Sequence, residues 1–205
     1  MGNASPNWTS TSSNTKKHND TARRRQTARR VRKVINPMPN STEQILYTTI
    51  ESPIGELLLV SDGDALRGLY MQDGRKPRTI GAGWVPSPAP FADVKTQLEE
   101  YFAGRRTTFD VQLAAQGAPF EREVWHALEE IPYGETVSYG EIARRVGQPT
   151  AARAVGTANG RNPIAVIVPC HRVIGANGTL TGYGGGLERK RLLLELEHGQ
   201  AHLQL

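Results

Sequence analysis

Period-two alternation opens the patterned part of the chain. Ile45, Tyr47 and Thr49 alternate with their neighbours, and Leu57 and Leu59 resume the pattern after Ser52-Pro53-Ile54-Gly55, which predicts two strands joined by a turn. Residues 65–71 form a third expected strand after Asp62-Gly63-Asp64. A Gly/Pro-rich connection from Asp73 to Pro90 contains Trp84, read as a packing residue. It leads into a helix whose apolar face is Phe91, Val94, Leu98, Tyr101 and Phe102, closed by Gly104. Residues 43–115 thus read as a small α/β domain without chemistry of its own.

After Gly117-Ala118-Pro119 the period changes to that of helices. Phe120, Val124, Trp125, Leu128 and Ile131 share one helix face, with Pro119 suited to the first turn. Thr136-Val137-Ser138 leads to a short helix from Tyr139 that Gly147 closes, and Gln148-Pro149-Thr150 separates it from a second short helix, residues 151–159. Two short helices joined by such a turn make a helix-turn-helix pattern, a weak signal by itself. The second helix is made of Ala, Gly, Val and Thr up to Ala158, apart from Arg153. One arginine on a small-residue surface suits insertion into the minor groove or base stack better than base reading in the major groove. This second domain is expected to span residues 118–199.

Composition changes the picture mainly at the N-terminus. The chain has 205 residues, 38% of them hydrophobic, a net charge of +5 and a pI near 9.6. Residues 1–40 carry nine Lys/Arg against one acid, a net of +8, whereas the remainder, with 16 Lys/Arg and 19 Asp/Glu, is at −3. The high pI therefore reports a Ser/Thr/Asn/Arg-rich tail, expected to be disordered, and any nucleic-acid surface on the folded part must be local. Nonspecific attraction to DNA is the functional reading of the tail, and a start of translation at Met38 would remove nearly all of it. No apolar run approaches the roughly 20 residues of a membrane span, and no signal-peptide core is visible. A single cysteine fits a reducing cytoplasm.

That cysteine, Cys170, ends an apolar, strand-like run, Ile167-Val168-Pro169, and precedes the polar pair His171-Arg172. It has no partner for an internal disulfide and no companion thiols for a Cys-rich zinc site. It is either a buried small hydrophobe or a nucleophile. A proline before it, and polar and cationic residues after it, favour a nucleophile whose thiolate is supplied by its neighbours.

Pro169-Cys170-His171-Arg172-Val173, behind Arg153-Ala154-Val155-Gly156 and Asn162-Pro163 and ahead of Gly182-Tyr183-Gly184-Gly185-Gly186-Leu187, closely resembles the O6-alkylguanine-DNA alkyltransferases, the methylated-DNA–protein-cysteine methyltransferases. The resemblance is dense from about Phe120 to Glu197 and looser before it, where Ser52-Pro53-Ile54-Gly55 resembles an early turn of that family. It implies an α+β fold, with a small ribonuclease-H-like domain followed by a helical, winged-helix-like domain carrying the cysteine. The implied activity is single-turnover transfer of an alkyl group from O6-alkylguanine, and also O4-alkylthymine, in flipped-out duplex DNA to Cys170. No cofactor is implied. The partner is double-stranded DNA bound through its minor groove by a monomer, with cooperation along DNA left open.

Residue by residue, the resemblance makes His171 the base that deprotonates Cys170 through a water and Glu197 the carboxylate that holds His171. Neighbouring residues of an extended segment point apart, which also favours a water bridge. Asn162 would brace the turns of the active site. Arg153 would fill the gap left by the flipped base, with Ala151, Ala152 and Gly156 on the same DNA-binding helix. Tyr139 would crowd a phosphate and donate toward guanine N3. Val173, through its backbone, and Tyr183, Gly184 and Gly185 would form the base pocket. Gly184 stands where some relatives carry a hydroxyl residue. The zinc site of some relatives needs cysteines that this chain lacks. Two other readings are a sensor of alkylated DNA, whose relatives replace the cysteine, and a helix-turn-helix regulator, which would need base-reading side chains on residues 151–159.

Overall fold

The computed structural model describes residues 44–73 and 77–199, so the basic segment 1–40 lies outside the described residues. The first part is a four-stranded sheet of order β3-β2-β1-β4, made of β1 (Leu46–Ile50), β2 (Leu57–Ser61), β3 (Leu66–Met71) and β4 (Val85–Pro86). β1–β2 and β2–β3 are antiparallel, and β4 runs parallel to β1. The first turn is fixed as its residues require: the Gly55 N–H donates to Ser52 O at 3.0 Å, and Gly55 sits at φ +96°, a left-handed conformation that glycine adopts without strain. The Asp62 carboxylate accepts from the Asp64 and Ala65 N–H groups and closes the second hairpin.

Two expectations needed correction here. β2 is not half-buried, because all five of its residues are buried, and a central strand covered on both faces shows no alternation. The Gly/Pro-rich connection contains β4, held when Val85 N–H donates to Ile45 O and Ser87 N–H to Tyr47 O, both at 2.9 Å. Two residues containing a proline are too short to give a strand signal. Trp84 packs as expected, 6.4 Å from the Tyr47 ring. Helix α1 (Ala92–Phe102) buries Val94, Leu98, Tyr101 and Phe102.

The second part begins with α2 (Pro119–Glu129), entered through Pro119 and a Glu121 carboxylate that accepts the Ala118 N–H at 2.9 Å. β5 (Val137–Ser138) leads into α3 (Tyr139–Arg145), whose N-cap is Ser138, its hydroxyl accepting the Glu141 N–H at 3.1 Å. After the turn comes α4 (Ala152–Gly160), and α3 and α4 pack as the expected helix-turn-helix over Ile142, Ala143, Val155 and Ala158. Trp125 Nε1 donates to Ala158 O at 2.9 Å and ties α2 to α4.

The run before Cys170 was read as strand-like, and it is not a strand. Its backbone turns tightly: Val168 N–H donates to Ile164 O and Cys170 N–H to Val168 O, and Val166 takes φ +70°, a strained value for a β-branched residue. Cys170–Arg172 is one 3₁₀ turn, followed by β6 (Val173–Ile174), parallel to β5, and α5 (Leu187–Glu197). Pro169 withholds an N–H, and Asn162 competes for the backbone, so an apolar composition could not make a strand there.

The two parts share a single hydrophobic core and belong to one compact unit. The free edge of β3 continues into the second part, where Leu69 N–H donates to Pro163 O at 2.8 Å and Leu69 O accepts the Ala165 N–H at 3.1 Å. The turn that carries Cys170 is therefore anchored on the sheet. Leu128 is fully buried in α2 at the centre of this core. Leu128→Ala should destabilise the protein by about 2–5 kcal/mol in chemical denaturation, from lost transfer energy plus the cavity left behind.

Candidate active site

The 3₁₀ turn places Cys170 with its residue only 5% exposed, yet not sealed away. It lies in the wall of a cavity of about 1200 Å³ that is also lined by Tyr139, Arg153, Asn159, Asn162 and Tyr183. Burial pushes the thiol up, while a hydrogen bond from Asn162 and the nearby Lys190 charge pull the other way. Desolvation outweighs both, so these neighbours do not by themselves bring the thiol below its ordinary value.

Behind the cysteine is a buried ionic cluster. His171 is fully buried, with Nε2 2.8 Å from Glu197 Oε1. The same oxygen accepts Tyr101 O–H at 2.7 Å and Arg172 Nη2 at 2.8 Å. Glu197 Oε2 accepts Arg172 Nε at 2.8 Å and the Gly134 N–H at 3.2 Å. Arg172 also donates to Ile131 O at 2.6 Å and lies over the Tyr133 ring. Burial opposes the Glu197 charge, but the hydrogen bonds from His171 and Arg172 and the Arg172 charge outweigh it and hold the carboxyl well below its usual range. Burial pushes the His171 imidazole down against the pull of Glu197, so the ring is neutral at physiological pH. An ionised carboxylate only accepts, so Nε2 carries the ring proton and Nδ1 the lone pair. His171 Nδ1 is buried without a protein partner. In a 3₁₀ turn consecutive side chains diverge by about 120°, so the divergence expected of an extended segment persists in this geometry.

The other expected residues distribute around this centre. Asn162 Nδ2 donates to Val168 O at 2.8 Å and its Oδ1 accepts the Ile164 N–H at 3.0 Å. Tyr139 opens α3 against Gly156 of α4, where a Cβ would lie 3.7 Å from the ring, and its hydroxyl accepts from Thr181 Oγ1 at 3.2 Å. Arg153 is exposed on α4 and lines the cavity, as do Ala152 and Gly156, whereas Ala151 is the residue preceding that helix and stays outside the lining. Gly184 and Gly185 line the cavity beside Tyr183, and a Cβ on Gly185 would collide with Met71 Sδ. Val173 is fully buried and not part of the lining, and its carbonyl accepts from Lys190 Nζ at 2.6 Å.

Three contributors went unnoticed in the sequence. Lys190 is fully buried, also donates to Thr181 O at 2.9 Å, and is lowered to about 8 by burial. Arg172 was read only as a polar neighbour. Tyr101 was counted as core, and with the wall formed by Leu69, Tyr70, Met71, Pro77 and Arg78 it corrects the view that the first part has no chemistry. A tyrosine on an apolar helix face gives no sign of where its hydroxyl ends. Among the described residues, no group of three or more His, Cys, Asp or Glu could hold a metal ion.

Fold and site define a helix-turn-helix protein centred on one cysteine with a His–Glu pair behind it. Residues 45–115 match the family model of the 6-O-methylguanine DNA methyltransferase ribonuclease-like domain, and residues 119–199 that of the same family's DNA binding domain. The methylated-DNA–protein-cysteine methyltransferase of Mycobacterium bovis is 57% identical over 163 residues, 78% of this chain and 97% of that protein. The one from Methanosarcina acetivorans is 54% identical over 151 residues, 74% of this chain and 97% of its own length. The crystal structure of Mycobacterium tuberculosis OGT in complex with DNA superposes with a TM-score of 0.72 at 56% identity, covering 76% of this chain and 94% of that one. The chain belongs to the methylated-DNA–protein-cysteine methyltransferase family.

The Glu197 cluster generates a prediction about acid stability. Folding lowers the Glu197 pKa, so below the unfolded value near 4.3 the unfolded chain binds the extra proton and stability falls with falling pH. The contribution is complete above about pH 5. Glu197→Gln should lose up to about 1.4 kcal/mol per pH unit of that slope between about pH 4 and 3, measured by urea denaturation.

Proposed function

We propose that Cys170 is the acceptor in direct, irreversible, single-turnover repair of O6-alkylguanine in DNA. The observation that carries this reading is a thiol on a cavity wall, beside a helix-turn-helix, with a neutral imidazole whose tautomer is set by an ionised carboxylate. The protein binds duplex DNA as a monomer through the minor groove, using residues 118–199. O4-alkylthymine is a further substrate, and the reduced thiol suits the cytoplasm. Among the described residues no helix is long and apolar enough to cross a membrane.

The alkylated oxygen lies inside the duplex, so the base must leave the stack to meet the sulfur. Arg153, exposed on α4, fills the vacated space, while Ala151, Ala152 and Gly156 let the helix approach closely. The cavity receives the purine beside Tyr183, Gly184 and Gly185, with Val173 supporting its floor.

A buried thiol is protonated at rest, so deprotonation accompanies the reaction. The Cys170 proton passes through a bridging water to His171 Nδ1, and Glu197 stabilises the imidazolium. The Sγ–C bond forms as the C–O6 bond breaks, and the bonding pair stays on guanine. The Tyr139 O–H, donating toward N3, lowers the charge that builds on the purine, which then takes up one proton. Asn162 keeps the cysteine turn in place. The products are guanine in DNA and an S-alkylcysteine that no group in the site can cleave.

Mass spectrometry after incubation with a duplex containing O6-methylguanine should find one methyl per molecule on the Cys170 peptide, and none in Cys170→Ser. Tight binding of the lesion with no mass gain would instead favour a lesion sensor. Arg153→Ala should slow transfer from duplex DNA by about tenfold or more, yet leave the reaction with free O6-benzylguanine unchanged, because the free base needs no extrusion.

A further inference from the structure

We propose that Arg161 binds a DNA backbone phosphate at the cavity mouth, and that the Glu121 carboxylate occupies the place of that phosphate until DNA arrives. This adds to the repair reading above and rests on it. The chain outside the basic tail is acidic, with a net charge of −3 over residues 41–205. The cavity wall is the reverse: among the described residues it contains Arg78, Arg153 and Arg161 and no Asp or Glu. A cationic rim on an acidic body draws a polyanion to one place. At rest the three arginines are engaged differently. Arg78 lies over the Tyr70 ring, 5.4 Å from its centroid, and Arg153 stands exposed near the start of α4. Arg161 is paired with an acid, its Nη1 donating to Glu121 Oε1 at 2.8 Å.

A base inside the cavity remains joined to its sugar, so the backbone of the extruded nucleotide has to cross the mouth and bring its flanking phosphates to the rim. Arg161 is fixed there from two directions. It is the C-cap of α4, its N–H donating to Ala158 O at 3.1 Å, and it stands two residues before Pro163, whose carbonyl accepts the Leu69 N–H at the edge of β3. Its side chain is nevertheless 67% exposed, whereas that of Glu121 is 15% exposed. Glu121 is held by a second duty, because its Oε2 accepts the Ala118 N–H at the start of α2. One carboxylate oxygen thus serves the helix and the other serves Arg161. A phosphodiester offers a guanidinium the same pair of anionic oxygens as a carboxylate. An exposed ion pair contributes little in water, so Arg161 can change partner at small cost while Glu121 keeps its place on α2. Glu121 therefore orients the arginine before binding and competes with the phosphate during it.

The test follows methyl transfer to the full-length protein from a duplex containing O6-methylguanine, at sub-saturating DNA and over a range of salt concentrations. Arg161→Gln should slow transfer by about fivefold or more and reduce the slope of log rate against log salt by about 0.9, the share of one phosphate. Glu121→Gln, whose amide oxygen can still accept the Ala118 N–H, should speed transfer by about twofold or more. In the double variant that gain should vanish, leaving the rate of Arg161→Gln. A neutral methylphosphonate placed at each phosphate flanking the lesion in turn should reveal one position that slows the wild type but not Arg161→Gln. Reaction with free O6-benzylguanine should be unchanged in every variant, which separates a loss at the DNA surface from a damaged site. The proposal is overturned if Arg161→Gln keeps the wild-type rate and salt slope, or slows the free base as much as the duplex. It is also overturned if the gain from Glu121→Gln survives in the double variant, because the acid then acts through overall charge and not through Arg161. No transfer from O6-methylguanine to wild-type Cys170 would refute the repair reading itself.

Discussion

The charge on Glu197 is the constraint around which the site is built. An ionised carboxylate in a protein interior is tolerated only with its lone pairs engaged, and here five donors do this: His171, Tyr101, two nitrogens of Arg172 and the Gly134 N–H. Each comes from a segment that must be in place before the others can close. Tyr101 comes from α1, Gly134 from the turn after α2, His171 and Arg172 from the cysteine turn, and Glu197 from the end of α5. Gly134 is at φ +76°, and a Cβ there would lie 3.2 Å from Glu197 O, so both the conformation and the close approach require glycine. The cluster brings α1 of the first part and α5 of the second together around the cysteine turn.

The same charge sets the chemistry of its neighbours. Because Glu197 remains ionised, it cannot receive the proton of His171; it orients the ring and leaves Nδ1 as the basic nitrogen. Burial keeps that ring neutral and keeps the Cys170 thiol protonated. A permanently ionised thiol on an open cavity would meet every small electrophile in the cell, and under the proposed single-turnover reaction such an encounter would end its use. A thiol that loses its proton only when a base fills the cavity, as the proposed reaction has it, would avoid this.

Much of this was legible in the sequence. The first three strands, the first four α-helices and the helix-turn-helix followed from periodicity and from Gly, Pro and Ser at their ends. Residue spacing cannot report what crosses between distant segments. Tyr101 and Glu197 are 96 positions apart, and only the fold shows the hydroxyl of one on the carboxylate of the other. Lys190 sits in a charged stretch, Glu188-Arg189-Lys190-Arg191, where a solvated face is the natural reading, yet it is fully buried against two carbonyls. The strand expected before Cys170 failed for a local reason: side-chain bonds from Asn162 and the missing N–H of Pro169 overrode an apolar composition.

The irregular backbone at this point has a structural use. A strand would have continued past the sheet and carried Cys170 away from the helix-turn-helix. Instead the chain pairs briefly with Leu69, turns through Val166 at positive φ, and presents the sulfur between α4 and the glycine-rich loop. Strain at one β-branched residue costs on the order of 1–3 kcal/mol and persists only where the surroundings over-determine it. Here they do: Val166 is completely buried, Asn162 holds the turn from both ends, and the edge of β3 fixes its start. Under the proposed reaction such rigidity matters more than speed of release, because nothing would have to leave the sulfur afterwards. The loop on the far side of the cavity, Tyr183 to Gly186, reaches the same end by composition: its three glycines leave little side chain between its backbone and the cavity that Cys170 lines.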